Sequence, residues 1–217
     1  MTEPINSKLE QLNLFENDLI DLSKQMMESG QDMFALDMLA VGVINRSLSL
    51  ISGFITLIRN SNYLAGVHLI RLHLDNYLRF SASWLVDEPH DFAMKVMDGT
   101  RIEKLKDRNG EVMRDKYLVK LASVEYPWIQ TVYDETSGFI HLSRKHIFTS
   151  TIIKVEEVTT MEFRISKEDK YVQDESRLEA VQCMIEITRC IISLLEGWVW
   201  TKRNPDKLDE LKSRKID

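Results

Sequence analysis

The residues best placed to do chemistry fall on a stretch that otherwise belongs in a core. In YLAGVHLIRLHLDNYLRFSASW, residues 63–84, apolar side chains occur on almost every side of a helix, at Leu64, Val67, Ile70, Leu72, Leu74, Tyr77, Leu78 and Phe80. A helix that is apolar all round is a buried one. Yet His68, Arg71, Asp75 and Arg79 stand three and four residues apart, on one stripe of that helix. Buried charge is costly unless it is paired and hydrogen-bonded. Two arrangements meet that condition. In one, the stripe is an internal ion-pair ladder, with Arg71 and Asp75 as i,i+4 partners and Arg79 extending it. In the other it faces a pocket for an oxyanion, where two planar guanidinium forks bind phosphate and the Asp75 carboxylate holds one of them in place.

A second set lies in YDETSGFIH, residues 133–141. Tyr133, Ser137 and His141 are four apart and share one helix face. Gly138 lies within that helix, where glycine costs about 1 kcal/mol relative to alanine. Such a glycine marks close approach of another backbone or a ligand. An imidazole exchanges its proton near neutral pH, so His141 is a candidate general acid or base. The alternative is a buried histidine bonded to a neighbouring carboxylate.

Other chemistries lack their patterns. There is no HExxH and no CxxC, so no dedicated metal site is expected. There is no GxGxxG and no P-loop, so neither type of nucleotide site is supported, and no cofactor is expected. Ser137-Gly138 is not a GxSxG elbow. KLKDR, residues 104–108, reads as a solvated loop, and Trp198 and Trp200 as core or interface.

RLHLDNYLR in an early core helix, followed far downstream by YDETSGFIH, resembles a group of uncharacterised bacterial helical proteins. These pair an R-x3-[DE] helix with a Y-x3-S-x3-H helix. The group is similar in outline to the HEPN superfamily, whose members include ribonucleases of toxin–antitoxin and phage-defence systems. The resemblance implies Arg71 and Asp75 for the first motif and Tyr133, Ser137 and His141 for the second. The short arginine-to-histidine spacing of the HEPN nuclease motif does not occur in this chain. A nuclease here therefore needs Arg71 and His141 to meet across helices. On that basis Arg71, Asp75 and His141 are the expected catalytic set, and Arg79, Tyr133, Ser137 and His68 the expected substrate-binding set. The expected partner is RNA or a protein, and a homo-oligomer is compatible with the pattern. The competing function class is a non-catalytic helical interaction protein whose charged cluster is internal architecture.

The elements that must position these residues are mostly helical. Leu9, Leu12, Phe15, Leu19, Leu22 and Met26 recur at helical spacing over Ile5 to Glu28, and Ser29-Gly30 ends that helix. A very apolar helix is predicted from about Asp32 to Arg59. Asn60-Ser61-Asn62 breaks it and supplies the N-cap of a third helix, Tyr63 to Val86. So short a link places the two antiparallel. Pro89 opens a short helix to Met97. Thr100 to Arg114, with Asn109-Gly110, reads as an exposed loop. Helices follow from Asp115 to Val124 and from Pro127 to about Lys145. HIFTSTIIKV and TTMEFRIS then alternate apolar and polar residues, which predicts a small β-hairpin at about residues 147–166. A long helix from Gln173 to Trp200 follows, and the tail at 204–217 is charged.

The expectation is thus a mainly α bundle of five or more helices, with the hairpin inserted before the last long one. At 217 residues, 1–203 form one domain. Four prolines and eight glycines leave little material for a many-stranded β fold. A net charge of −6 argues against nucleic acid held by bulk electrostatics, but leaves room for a local basic pocket. The start is polar and acidic, without the order of a secretory signal. Ser47 to Ile58, the longest uncharged run in the most apolar region, is shorter than the ~20 residues that span a bilayer. Cys183 and Cys190 sit seven apart on one predicted helix, about 10 Å of rise, and read as reduced core thiols of a cytoplasmic protein without a membrane association.

Overall fold

Helical periodicity places most of the chain. The computed structural model describes residues 2–30, 32–140, 151–154, 160–163, 165–166, 168–169 and 172–207. Helix α1 spans Glu3–Glu28 and buries Ile5, Leu9, Leu12, Leu19, Leu22 and Met26, so Ile5 joins the predicted apolar face while Phe15 is only half-buried at its edge. Helix α2 spans Ala35–Arg59 and begins three residues later than predicted, because the Asp37 carboxylate accepts the Phe34 N–H and caps the start from within. Helix α3 spans Tyr63–Ser81, and the Asn62 side chain accepts the Ala65 N–H as its N-cap, as the sequence requires. Asp169 reinforces that end, its carboxylate accepting the Leu64 N–H at 2.8 Å. A carboxylate at a helix N-terminus is favoured by the peptide dipoles.

α2 and α3 run antiparallel. Ile58 lies against Gly66, while the Asn76 amide donates to the Val43 carbonyl at the other end of the pair. A methyl group built on Gly66 would sit 3.1 Å from Ile58 Cδ1, so glycine permits this close approach. The tight link places Ser61 at φ 55°, in the left-handed region.

α3 stops five residues short of the predicted Val86 and continues as a 3₁₀ turn, Ala82–Trp84. Ser81 and Ser83 hydroxyls donate to the carbonyls of Leu78 and Phe80. Arg108 donates to the carbonyls of Trp84, Leu85 and Val86 at 2.7, 3.2 and 2.9 Å. The predicted solvated loop is therefore a built one. Lys106 bridges Val112, and the Asp107 carboxylate takes the Tyr117 hydroxyl at 2.6 Å and the backbone N–H groups of Asn109 and Glu111. The Tyr117 hydroxyl, ahead of those two N–H groups, holds the Asp107 carboxyl below its ordinary range.

Helix α4 covers Pro89–Met97, α5 Asp115–Glu125, α6 Trp128–Ile140 and α7 Asp174–Arg203. The part of the sixth predicted helix beyond Ile140, and the tail from residue 208, lie outside the described residues. Thr151–Lys154 and Thr160–Phe163 are extended and paired antiparallel, with Ile152 opposite Glu162 and Ile153 opposite Met161. The described residues otherwise form the mainly α bundle that the composition and periodicity predict.

α1 packs on α2 and α7, α2 on α3, and α3 on α7, which closes a ring of four helices around one core. α5 and α6 pack on each other and on α3, so they form an outer layer over the face of α3 that carries the charged stripe. α4 packs on α2. Among the described helices, α2 alone is long and apolar enough to cross a bilayer; Leu36, Ala40, Ile51, Phe54 and Ile58 on it are buried in the bundle. Cys183 is half-buried and Cys190 buried on α7, both as free thiols. Burial is the main cause that pushes them up, to about 11 and about 12, which leaves them protonated and inert at neutral pH.

Candidate functional site, a guanidinium ladder under the outer helices

The stripe on α3 is a ladder, but its rungs differ from the predicted ones. Asp75 pairs with Arg79, Nε to Oδ1 at 3.0 Å, and with Arg46 of α2, Nη1 to Oδ2 at 3.2 Å. It does not pair with Arg71. Helical side chains lean toward the N-terminus of their own helix, so an arginine four residues after an aspartate is better oriented to reach it than one four residues before. Arg71 instead donates from Nη2 to Asp115 Oδ2 at 3.1 Å, and Arg79 Nη2 donates to the other oxygen of the same carboxylate. Asp115 is the first residue of α5. One carboxylate at a helix N-terminus thus holds two arginines of α3 and fixes α5 over them.

The ladder grades from open to buried. The side chains of Arg46, Asp75 and Arg79 are 42%, 27% and 23% exposed, and that of Arg71 only 10%. Arg71 is laid over Tyr133 of α6, its guanidinium carbon 3.8 Å from the ring centroid, a cation–π seat. The charge sum is three guanidiniums against two carboxylates. Nη1 of Arg71 and Nη1 of Arg79 are both buried without a hydrogen-bond partner.

Of the remaining predicted site residues, Ser137 lies one turn beyond Tyr133, and its hydroxyl donates to the Tyr133 carbonyl at 2.7 Å. His68 makes an Nδ1 contact with the Leu64 carbonyl at 2.6 Å, a turn before Arg71 on α3. Gly138 lies in α6. His141 lies outside the described residues. The structure therefore joins Arg71 and Arg79 through Asp115, Asp75 to Arg79, and Tyr133 to Arg71, and α3 packs on α6.

Asp115 and Arg46 were not among the predicted site residues. Arg46 had a readable signal: a lone cation in a very apolar helix has to find a carboxylate. Asp115 had a weaker one, an acid at a predicted helix start, which its dipole role alone accounts for.

Two further polar sites lie apart from the ladder. His73, on the core side of α3, is fully buried; its Nε2 lies 2.9 Å from Thr188 Oγ1. The Thr188 hydroxyl donates to the Met184 carbonyl, so Nε2–H is the donor to it and Nδ1 is left without a partner. Burial, with Arg46 as a second cause, lowers the His73 pKa to about 3 and holds it neutral. At the far end of the bundle Lys202 pairs with Asp37 at 2.9 Å, with side-chain exposures of 2% and 0%. Trp198 Nε1 donates to the other Asp37 oxygen, and Phe34 stacks on His90 beside them.

Asp115 also lines a shallow pocket of about 470 Å³, together with Glu103, Lys104, Arg114 and Lys116. Glu103 is paired with Arg101. Among the described residues Lys104, Arg114 and Lys116 are exposed and form no ion pair, so the mouth beside the ladder is locally basic. No group of three His, Cys, Asp or Glu side chains among the described residues is arranged to hold a metal. Comparison with the models of known protein families, with curated proteins and with solved structures finds no match to this chain.

Proposed function

We propose that the protein is a HEPN-like bacterial effector of the cytoplasm that cleaves RNA at a composite site of Arg71, Asp75 and His141. The observation that carries this reading is the seating of Arg71 on Tyr133, because it brings an arginine of one motif against the first residue of the other. In this reading His141, eight residues after Tyr133 on the Tyr-x3-Ser-x3-His face, moves the proton of the attacking hydroxyl. Arg71 and Arg79 offset the charge that gathers on the phosphate oxygens, and Asp75 and Asp115 hold their forks in place. Lys104, Arg114 and Lys116 give the phosphate backbone its approach beside Asp115. In this reading Arg79, Tyr133, Ser137 and His68 are the groups that bind the substrate. The two paired four-residue segments support a small hairpin before α7 as part of the same architecture.

A second reading rests on its own observation. Both carboxylates of the ladder are taken up by guanidiniums, and Asp115 fastens α5 to α3, which a purely structural ladder also requires. The packed pair α2 and α4 leaves Met38, Met94 and Met97 exposed. In that reading the chain is a non-catalytic helical interaction protein that engages a protein partner or a second copy of itself.

The experiment that separates them is incubation of the purified protein with total RNA from about pH 6 to about pH 9, with and without divalent metal, beside His141→Ala. Cleavage by the wild type and none by a folded His141→Ala supports the first reading. Intact RNA in every condition removes hydrolysis and leaves the interaction protein.

A further inference from the structure

A second cavity lies between α3, α6 and α7. Its volume is about 520 Å³, within the ~300–1,000 Å³ that small-molecule sites occupy. Tyr63, Val67 and Ile70 line it at steps of four and three, so it follows one stripe of α3 for about 10 Å. Val132 of α6 and Ala180 of α7 complete the apolar floor. Trp128 lines it from the start of α6, 6.3 Å from the Tyr126 ring, which in turn lies 6.3 Å from that of Tyr77, far along α3. Tyr63 therefore stands at one end of the cavity and Trp128 toward the other.

The polar lining sorts into groups that are engaged and groups that are open. Glu186 is paired with Arg189 and takes the Gln182 amide, Thr136 donates to the Val132 carbonyl, and Glu135 is engaged as well. Glu179 is exposed and, among the described residues, forms no ion pair. The Tyr63 hydroxyl and the Trp128 N–H form no hydrogen bond among the described residues, and neither is shut off from solvent.

A donor left open at the end of an apolar trough is complemented by an acceptor on an apolar body. We propose that this cavity binds a neutral, elongated apolar molecule with a carbonyl acceptor at one end. The carbonyl oxygen accepts the Tyr63 O–H, the body lies along Val67, Ile70, Val132 and Ala180, and the far end packs on the Trp128 ring. Charge decides against the ionised relatives of such a molecule. An anion meets the Glu179 carboxylate, with no lysine, arginine or histidine among the described lining residues to offset it. A cation finds Glu135 and Glu186 already engaged. The phenol stays a donor at neutral pH, because burial, and after it Glu179, pushes it up to about 12. The site is independent of the ladder and of RNA cleavage.

Benzophenone is a suitable probe, because its excited ketone inserts into neighbouring C–H bonds and so records where it was bound. Irradiated with the full-length protein, it attaches to the peptides that carry Val67, Ile70 and Val132. Tyr63→Phe raises the concentration that half-saturates this labelling about fivefold, the scale of one neutral hydrogen bond. 4-Benzoylbenzoate, the same ketone with a carboxylate, labels these peptides at least about fivefold less, and Glu179→Gln narrows that gap. Thr131→Trp, at an exposed lining position on α6, fills the cavity and removes the labelling. Labelling that misses these peptides, equal labelling by the ketone and its carboxylate, or half-saturation unchanged in Tyr63→Phe would overturn the proposal. If Thr131→Trp fails to fold, Tyr63→Phe and the comparison of the two ketones decide it.

Discussion

Lys202 and Asp37, 165 residues apart in the chain, form an ion pair at 2.9 Å with almost no solvent contact. The ammonium also donates to the Met26 carbonyl at 2.9 Å, so the pair ties the end of α1, the start of α2 and the end of α7 together. Removing one member strands the other. Lys202→Met is expected to cost about 3 to 5 kcal/mol, whereas Asp37→Leu with Lys202→Met together cost much less than the sum, because no unpaired charge remains. Urea unfolding of the two single variants and the double variant measures the coupling. Additive losses would show that the charges do not depend on each other.

His73 gives the fold a pH dependence with a defined sign. Its folded pKa is lowered to about 3 while an unfolded histidine titrates near 6.5. Between those values the unfolded chain binds a proton that the folded chain does not, so stability rises with pH through this window. The contribution is fully present above about pH 6.5 and is lost as pH falls toward 3. Near pH 5 the slope from this one group approaches about 1.4 kcal/mol per pH unit. His73→Gln can keep the donor to Thr188 and has no titration. Comparison of the two unfolding free energies at pH 7 and about pH 5 isolates the term; parallel losses would mean that His73 accepts a proton in the folded state.

Asp115 is predicted to matter more than either arginine it holds. Asp115→Ala leaves Arg71 and Arg79 without their shared carboxylate and costs about 2 to 4 kcal/mol, below the upper end for a buried pair because Asp115 is partly exposed. Arg71→Ala costs less, since Arg79 still holds Asp115, but more than Arg108→Ala. Arg108 is no bystander: its three carbonyl contacts set an expected cost of about 1 kcal/mol, above the ordinary surface range of about 0.5. Melting temperatures of the four proteins order these effects. Arg108→Ala equal to the wild type would return its segment to a simple solvated loop.

What could be read from residue order was local. Asn62 as an N-cap, Pro89 at the start of a helix, and the antiparallel pairing of α2 and α3 across a three-residue link each follow from one stretch of chain. The membership of the ladder did not follow, because its rungs cross between helices. Arg46 finds Asp75 from α2, and Asp115 finds Arg71 from a helix start 44 residues away. Periodicity gives a helix its faces and is silent on which face meets which. The pairing of Arg71 with Asp75 lost to two others: an aspartate that precedes its arginine by four residues is the better-oriented pair, as Asp75 precedes Arg79, and Arg71 is taken by Asp115. Arg108 and Lys202 were hidden for a third reason. Long cationic side chains look solvated in sequence, yet their heads reach carbonyls and a carboxylate far along the chain.

The central claim is that Arg71 and His141 act on one phosphodiester. Its most direct measurement is the single-turnover cleavage rate of a short oligoribonucleotide by the wild type, His141→Ala, Arg71→Lys and the double variant, all checked for folding by circular dichroism. The prediction is a loss of about 10²–10⁴-fold for His141→Ala. Arg71→Lys keeps the charge without the planar fork and is also slower. The double variant falls short of the product of the two single losses, as residues of one catalytic unit do. Cleavage by His141→Ala at the wild-type rate would contradict a site built from these two residues.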